Sequence, residues 1–271
     1  ICSMEKDPIF ILGAHKSGTS LLRNLLSDHS ELFSVPIESH FFELNNNWVQ
    51  YEYRKQKPKL KNSFKEAAID FIHKSNKATD DIGDSFLRGK LDEGIFTKAI
   101  ENIDELDDTA KFNMYIEAIY NSTIKDNEYS SKRIVEKSVE NIEFAVELRK
   151  MYPTAKFIHI IRNPYSNWVS LMKYKSVGVG FPLVHRMVSN FNSSFYFLEK
   201  NIKNLDNYLI VKYEDLISDT KHVMQEISKF LEIPFEDVLL NPTYLGENWK
   251  GNSSRRIEHS GVNNSGISDW K

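Results

Sequence analysis

The stretch FILGAHKSGTSLLRNLL, residues 10–26, constrains the fold more than any other part of the sequence. The run PIFILGA, residues 8–14, is continuously apolar up to Gly13, which is the pattern of a buried parallel strand. Leucines then recur on one helical face, at Leu21, Leu22, Leu25 and Leu26. Because parallel strands are joined by crossover connections, this strand, turn and helix unit predicts an α/β protein.

Three further β-rich runs, each followed by a helical pattern, repeat this unit over residues 133–138, 156–162 and 207–215. The alternation predicts a three-layer, P-loop-like α/β fold, with a central parallel sheet flanked by helices. We expect one domain, residues 1–271, with a helical insertion at approximately 45–130 over the strand ends. The insertion is either a lid or plain packing, and its helices are predicted at residues 64–75, 95–103 and 110–124.

Composition excludes several classes of protein. The net charge of −3 and the pI of about 6.3 argue against a general nucleic-acid binder. Cys2 is the only cysteine, which excludes disulfides within the chain and a cysteine-rich zinc site. No apolar run reaches the roughly 18 residues that a membrane span needs. We expect a cytoplasmic protein, with the lumenal domain of a Golgi enzyme as the alternative.

The glycine turn between the first strand and its helix is a candidate anion site. Gly13 and Gly18 have the spacing of the glycines in G-x-x-x-x-G-K-[ST], the phosphate-binding loop of many nucleotide-binding proteins. Thr19 occupies the lysine position of that pattern, and the lysine stands earlier, at Lys16. Free N–H groups at the start of a helix favour anions, so the loop predicts phosphate binding. A plain turn, in which Ser17 or Thr19 caps the helix, is the structural alternative.

A second candidate anion site lies in IIRNPYSNWVSLMKYK, residues 160–175. Arg162 ends a predicted strand, Pro164 suits the first turn of a helix, and Ser170 follows the arginine by eight residues. An arginine fork with a hydroxyl nearby can hold a phosphate group. Taken alone, this pair could equally be a surface arginine and a helix serine.

Together the two stretches resemble the sulfotransferases that use 3′-phosphoadenylyl sulfate (PAPS). FILGAHKSGTSLL resembles their 5′-phosphosulfate loop, whose lysine also precedes the second glycine by two residues, and RNPYSNWVSLMKY resembles their 3′-phosphate motif. LIVKYEDL and NWKGNSSR resemble the strand beside the adenine and the loop that closes over the 3′-phosphate. The resemblance implies PAPS as donor, adenosine 3′,5′-bisphosphate (PAP) as product, and no metal. It implies donor binding by Lys16, Ser17, Gly18, Thr19, Ser20, Arg162, Ser170, Tyr213, Lys250, Gly251, Asn252 and Ser253. Lys16 would also be catalytic, with its ammonium at the oxygen that bridges the 5′-phosphate and the sulfonate.

A difference near the middle strand separates the branches of that family. The cytosolic small-molecule branch has a histidine two residues after a lysine, whereas Val139 follows Lys137 at that distance here. VPIESHFFEL, residues 35–44, instead resembles the K-E-x-H-F-F stretch of the heparan-type carbohydrate enzymes and related bacterial enzymes. Ile37 departs from that branch, which often has a lysine there.

This branch resemblance implies roles for three side chains. Glu38 would be the base, His40 would lie near the acceptor, and Lys137 would reach the reaction centre. The alternatives are a solvated loop carboxylate at Glu38, a structural histidine at His40, and a simple ion pair at Lys137.

The acceptor stays open. A sugar hydroxyl or amine, a lipid or polyketide alcohol and a small metabolite all fit, so we expect a small-molecule or glycan acceptor and no nucleic acid. Its pocket is expected between the insertion and residues 176–200. Two other functions also stay open: a P-loop kinase or other NTPase, which would need Mg²⁺, and a non-catalytic nucleotide-binding domain. The oligomeric state is not predicted.

Overall fold

A computed structural model describes residues 6–47, 62–78, 87–124, 129–175, 184–251 and 261–262. Of the predicted donor-binding residues, Asn252 and Ser253 lie outside these ranges. So do parts of the segments that were expected to line the acceptor pocket, including residues 48–61 and 176–183.

Five parallel strands form the central sheet, in the order β2-β3-β1-β4-β5, which confirms the predicted fold class. The strands are β1 (Ile9–Leu12), β2 (Leu32–Ser34), β3 (Arg133–Glu136), β4 (Lys156–Ile161) and β5 (Tyr208–Lys212). The four β-rich runs predicted from the sequence correspond to β1, β3, β4 and β5. The sequence patterns did not reveal β2, because a three-residue strand is too short to display a period.

Helices connect the strands and cover both faces of the sheet. They are α1 (Thr19–Leu25), α2 (Phe41–Leu44), α3 (Phe64–Lys77), α4 (Glu93–Ala99), α5 (Asp108–Thr123), α6 (Asn141–Met151), α7 (Pro164–Lys175), α8 (Val184–Asn204), α9 (Tyr213–Ser218) and α10 (Thr220–Leu231). Short 3-10 helices cover Ile103–Glu105, Tyr129–Ser131 and Asp237–Leu240. A hairpin of β6 (Thr243–Tyr244) and β7 (Glu247–Asn248) follows them.

The three helices predicted in the insertion are α3, α4 and α5. Each begins at a side chain that caps its first turn, which explains where it starts. Ser63, Asp92 and Asp107 accept hydrogen bonds from N–H groups of the first turns of α3, α4 and α5, respectively.

Side chains of β1 alternate between two buried layers, one on each face of the sheet. Phe10 and Leu12 belong to the layer that α3, α5 and α6 cover, whereas Ile9 and Ile11 belong to the layer that α1 and α10 cover. Residues alternate in this way because successive side chains of a strand point to opposite faces.

The insertion contributes to the first of these layers through aromatic side chains. Phe112 on α5 packs edge-on against Phe10 of β1 and Phe41 of α2, with ring centres 6.0 Å and 5.2 Å apart. Phe64 on α3 contacts Tyr115 on α5 in the same manner, at 5.3 Å. The insertion and the sheet therefore share one buried layer. None of the described helices is both long and apolar enough to cross a membrane.

We expect Phe112→Ala to lower the stability of the whole chain and to preserve a single unfolding transition. Phe112 is 1% exposed, and truncation of a buried phenylalanine typically costs about 3–5 kcal/mol. Thermal unfolding followed by circular dichroism measures the change. Phe195→Ala on α8, where the side chain is 53% exposed, is the control and should shift the midpoint little. Two separate transitions in Phe112→Ala would contradict a shared core.

Candidate functional site

The loop between β1 and α1 closes so tightly that only glycine fits at its end. Gly18 has a φ of 106° and begins α1 without a side-chain cap, so the alternative in which Ser17 or Thr19 caps the helix is wrong. A Cβ atom on Gly18 would lie 2.3 Å from Cδ2 of Tyr213. Glycine is therefore required both by the backbone conformation and by the contact with the tyrosine ring.

Lys16, in the middle of this loop, also has a left-handed backbone, with a φ of 63°. This conformation is uncommon for a residue other than glycine. Nη1 of Arg162 donates a hydrogen bond of 2.9 Å to the carbonyl oxygen of Lys16. Nδ2 of Asn167 donates one of 2.9 Å to the carbonyl oxygen of His15. The two stretches predicted as anion sites thus touch, although Lys16 and Arg162 are 146 residues apart in the chain.

Two buried donors beside this loop have no hydrogen-bond partner within the described ranges. They are Oγ of Ser17 and Nε of Arg162. Each could donate a hydrogen bond, and a buried donor without a partner costs free energy. The hydroxyls of Thr19 and Ser20 lie close by in the first turn of α1, on residues that are also buried. The loop therefore offers several donors to an anion.

Arg162 lies between this loop and an aromatic ring. Its guanidinium carbon is 4.4 Å from the ring centre of Tyr213, the same ring that packs against Gly18. Burial raises the pKa of the Tyr213 hydroxyl, so the ring stays neutral at ordinary pH. Ser170 lies two turns along α7 and is half-buried. The cation–π contact with the Tyr213 ring thus helps to hold Arg162 at the end of β4.

Lys250 and Gly251 follow the β6–β7 hairpin at the end of a described segment. The hairpin packs on α1, because the ring centre of Tyr244 lies 6.0 Å from the guanidinium carbon of Arg23. An ion pair of 2.8 Å between Lys90 and Glu247 ties the hairpin to the insertion. The predicted late loop therefore starts from a hairpin that is fixed to the helix behind the glycine turn.

A second group of charged side chains lies where β2 and β3 end. Oε1 of Glu38 accepts a hydrogen bond of 2.5 Å from Nζ of Lys137, and its Oε2 lies 3.4 Å from Nε2 of His40. Burial alone would raise the pKa of Glu38, but the charges of Lys137 and His40 lower it to about 2. Glu38 is therefore ionised, and it contacts two of the other predicted catalytic side chains, Lys137 and His40. The alternative of a solvated carboxylate at Glu38 does not hold, because this side chain is only 12% exposed.

His40 is surrounded by carboxylates. Its Nδ1 lies 2.8 Å from Oε1 of Glu140, which is fully buried, and 3.8 Å from Oε2 of Glu43. Phe71 of α3 packs edge-on against the ring at 5.4 Å. Burial alone would lower the pKa of His40, but Glu140, Glu38 and Glu43 raise it to about 9. At neutral pH His40 is therefore an imidazolium, with one ring nitrogen on Glu140 and the other facing Glu38.

Hydrogen bonds to the end of β3 fix the segment that carries Glu38 and His40. The buried Glu136 accepts hydrogen bonds from the backbone N–H of Ser39, at 3.2 Å, and from Oγ of Ser138, at 2.6 Å. Oγ of Ser138 in turn accepts one of 3.1 Å from the backbone N–H of His40. The positions of the catalytic candidates thus depend on a buried polar network.

Glu38, His40 and Glu140 also have the spacing of a metal site, since one ligand atom of each lies within 4.8 Å of the others. Lys137 and His40 already place two positive charges among the carboxylates of Glu38, Glu43 and Glu140. A divalent cation would have to compete with these two side chains for the carboxylate oxygens.

Two polar residues of this region, Asn167 and Glu140, were not predicted as site residues from the sequence. Asn167 is 2% exposed and Glu140 is fully buried. Asn167 lies within the stretch of residues 160–175 and Glu140 directly precedes α6, but no motif marks either position. Only the three-dimensional contacts, with His15 and with His40, distinguish them.

Comparisons with known proteins identify the family of this chain. The model of the sulfotransferase family matches residues 8–237. An uncharacterized protein of Aquifex aeolicus is 25% identical over 98% of this chain and 31% of its own length. A protein-tyrosine sulfotransferase of Drosophila melanogaster is 21% identical over 98% of this chain and 47% of its own length. The chain thus spans less than half the length of each of these two relatives.

A solved structure has the same fold. The sulfotransferase domain from the curacin biosynthetic pathway superposes with a TM-score of 0.57 at 22% identity, over 99% of this chain and 91% of that domain. Since the family model covers most of the sequence and the fold agrees, the chain belongs to the sulfotransferase family.

Proposed function

We propose that this chain transfers a sulfuryl group from PAPS to a hydroxyl or amine of a small-molecule or glycan acceptor and releases PAP. The observation that carries the proposal is the hydrogen bond between Arg162 and the carbonyl oxygen of Lys16. It joins a loop suited to a 5′-phosphosulfate to an arginine suited to a 3′-phosphate. A donor with phosphates at both positions matches this pair, whereas a nucleoside triphosphate does not require the second.

The residues at the loop fit such a donor. Oγ of Ser17 and Nε of Arg162 are buried donors that a phosphate oxygen can satisfy. The first N–H groups of α1 have no acceptor within the helix and add to the same cradle. Ser17 itself already donates its backbone N–H to the carbonyl oxygen of Ala14, at 3.1 Å, so the backbone part of the cradle begins at Gly18.

PAPS supplies an activated sulfuryl group with a phosphate as its leaving group. The acceptor atom forms a bond to sulfur, the bond from sulfur to the 5′-phosphate oxygen breaks, and the acceptor proton passes to Glu38. Lys16 stabilises the charge that develops on the leaving phosphate. Arg162 and Ser170 hold the 3′-phosphate, and Lys250 and Gly251 cover it.

Lys137 controls the strength of the base. While Lys137 pairs with Glu38 at 2.5 Å, the pKa of about 2 makes this carboxylate a weak base. Movement of the ammonium towards the sulfonate removes one of the charges that lower the pKa of Glu38. Burial then raises that pKa, so the base strengthens as the sulfuryl group arrives.

A transfer assay with radiolabelled PAPS tests the proposal. The acceptors offered are a tyrosine-containing peptide, because one relative is a protein-tyrosine sulfotransferase, then a glycosaminoglycan, a long-chain alcohol and small phenols. We expect label on at least one of these classes, with stoichiometric release of PAP and no loss of activity in EDTA. PAP binding without transfer to any class would favour a non-catalytic nucleotide-binding domain instead.

We expect Lys16→Ala to lower kcat about 10²- to 10³-fold in that assay, because one preorganised charge at the leaving group is commonly worth this much. The matched control is Lys203→Ala on α8, which removes an exposed lysine paired with Glu199. Its kcat should equal that of the wild type. A Lys16→Ala enzyme with nearly full kcat would contradict the role of this lysine.

We expect Glu38→Gln to lower kcat roughly 10²-fold or more, the usual range for loss of a general base. Its affinity for PAP should stay unchanged, because Glu38 lies at the acceptor side of the site. Calorimetry with PAP and steady-state kinetics measure the two quantities. Equal losses in PAP affinity and in kcat would point to a structural glutamate, and Glu199→Gln on the surface is the control.

The charge of His40 predicts a pH dependence of stability. The pKa of His40 is about 9 in the folded chain against an ordinary value of 6.5, so the folded state retains the proton between these values. The stabilisation is complete below pH 6.5 and is lost as the pH rises through 9. In urea denaturation, the stability gap between the wild type and His40→Gln should therefore narrow over this window. A gap that is independent of pH would contradict an imidazolium at this position.

A further inference from the structure

Two side chains hold consecutive carbonyl groups of the loop that carries Lys16. Nδ2 of Asn167 donates to the carbonyl oxygen of His15, and Nη1 of Arg162 donates to that of Lys16, both at 2.9 Å. Arg162 already has a part in the proposed donor site. Asn167 has none, and its side chain faces the loop from the first turns of α7.

The backbone that these bonds hold is one that lysine rarely adopts. Lys16 has a φ of 63°, in the left-handed region, and Gly18 follows at 106°. A lysine keeps such a conformation only where its surroundings fix it. The two peptide bonds that flank Lys16 therefore each have their carbonyl oxygen held by one of these side chains. Together they fix the position of the Lys16 backbone and of its Cβ atom.

Asn167 is itself held rigidly. Its backbone N–H donates to the carbonyl oxygen of Asn163 at 2.9 Å, and the Asn163 side chain accepts from the N–H groups of Tyr165 and Ser166 at the start of α7. The N–H of Asn163 donates to Oε1 of Glu214 on α9, at 3.0 Å. The turn that presents Asn167 is thus tied to a neighbouring helix and offers a firm anchor.

The side chain of Asn167 is poorly explained by packing alone. It is 2% exposed, and its Oδ1 has no hydrogen-bond partner within the described part of the chain. Burying an amide with one end unsatisfied costs free energy that an apolar side chain of the same size would not incur. The hydrogen bond from Nδ2 of Asn167 to the carbonyl oxygen of His15 offsets part of this cost.

We propose that Asn167 is a positioning residue that holds the 5′-phosphosulfate loop in its binding conformation, and thereby Lys16 at the leaving group. This inference rests on the proposed function. Asn167 acts on the loop and not on the 3′-phosphate, whereas Arg162 acts on both. Loss of Asn167 therefore weakens the recognition of a 5′-phosphate and leaves that of a 3′-phosphate intact.

Calorimetric titration of Asn167→Leu with adenosine 5′-phosphate and adenosine 3′-phosphate separates these effects. The leucine keeps the size of the side chain and removes the donor. We expect affinity for the 5′-phosphate to fall roughly five- to thirty-fold, which corresponds to about 1–2 kcal/mol. Affinity for the 3′-phosphate should change less than about twofold, and kcat with PAPS should fall with the 5′-phosphate affinity.

Asn201→Leu on α8 is the matched control. Asn201 is 1% exposed, and its Nδ2 donates to the carbonyl oxygen of Ile142 at 2.8 Å. Its Oδ1 also has no hydrogen-bond partner among the residues that the structure describes. The control should lose a similar amount of thermal stability and keep both affinities. Equal losses for both nucleotides in Asn167→Leu, or the same losses in Asn201→Leu, would overturn the inference.

Two further outcomes are decisive. If the wild type binds neither nucleotide, the proposed function fails. If the wild type binds both and Asn167→Leu binds them equally well, only the positioning role fails. Asn167→Ala is the second variant, and failure of both variants to fold would overturn a role confined to the loop.

Discussion

The parallel pairing of β1 with β4 is the constraint on which the rest of the site depends. Residues Ile9–Leu12 lie in register with residues 156–159, so Leu12 is opposite His159. Because parallel strands end at the same edge of a sheet, the chain leaves both strands side by side. One exit forms the loop with Lys16 and the other carries Arg162. The hydrogen bond between them follows from this register.

The same edge also assembles the charged group around Glu38. β3 is the other neighbour of β1, and β2 pairs with β3, so the segments that follow β2 and β3 meet beside the glycine loop. Burying four charged side chains is costly unless each has a partner. Here Lys137 and His40 offset Glu38 and Glu140, and the hydrogen bonds of Glu136 hold their backbones. We infer that this group acts as one unit, because the pKa values of Glu38 and His40 depend on the charges of their neighbours.

Much of this arrangement could be predicted from the sequence, since its strands are short apolar runs and its key residues follow strand ends. Lys16, Arg162 and Glu38 stood out through spacing and resemblance to a known family. Asn167 and Glu140 did not, because their partners are distant in the chain and no local pattern marks them. β2 was not predicted because three residues are too few to show a period. Within the described part of the chain, these residues pair with β3 alone.

The central claim is that the displaced lysine of the loop adapts it to a 5′-phosphosulfate and not to a triphosphate with Mg²⁺. Calorimetric titration of the full chain with PAP in EDTA, and with ATP in Mg²⁺, tests it directly. We predict tight binding of PAP that does not depend on metal, and weak binding of ATP whether or not Mg²⁺ is present. Binding of ATP that requires Mg²⁺ and exceeds that of PAP would contradict the account and favour a P-loop kinase or NTPase.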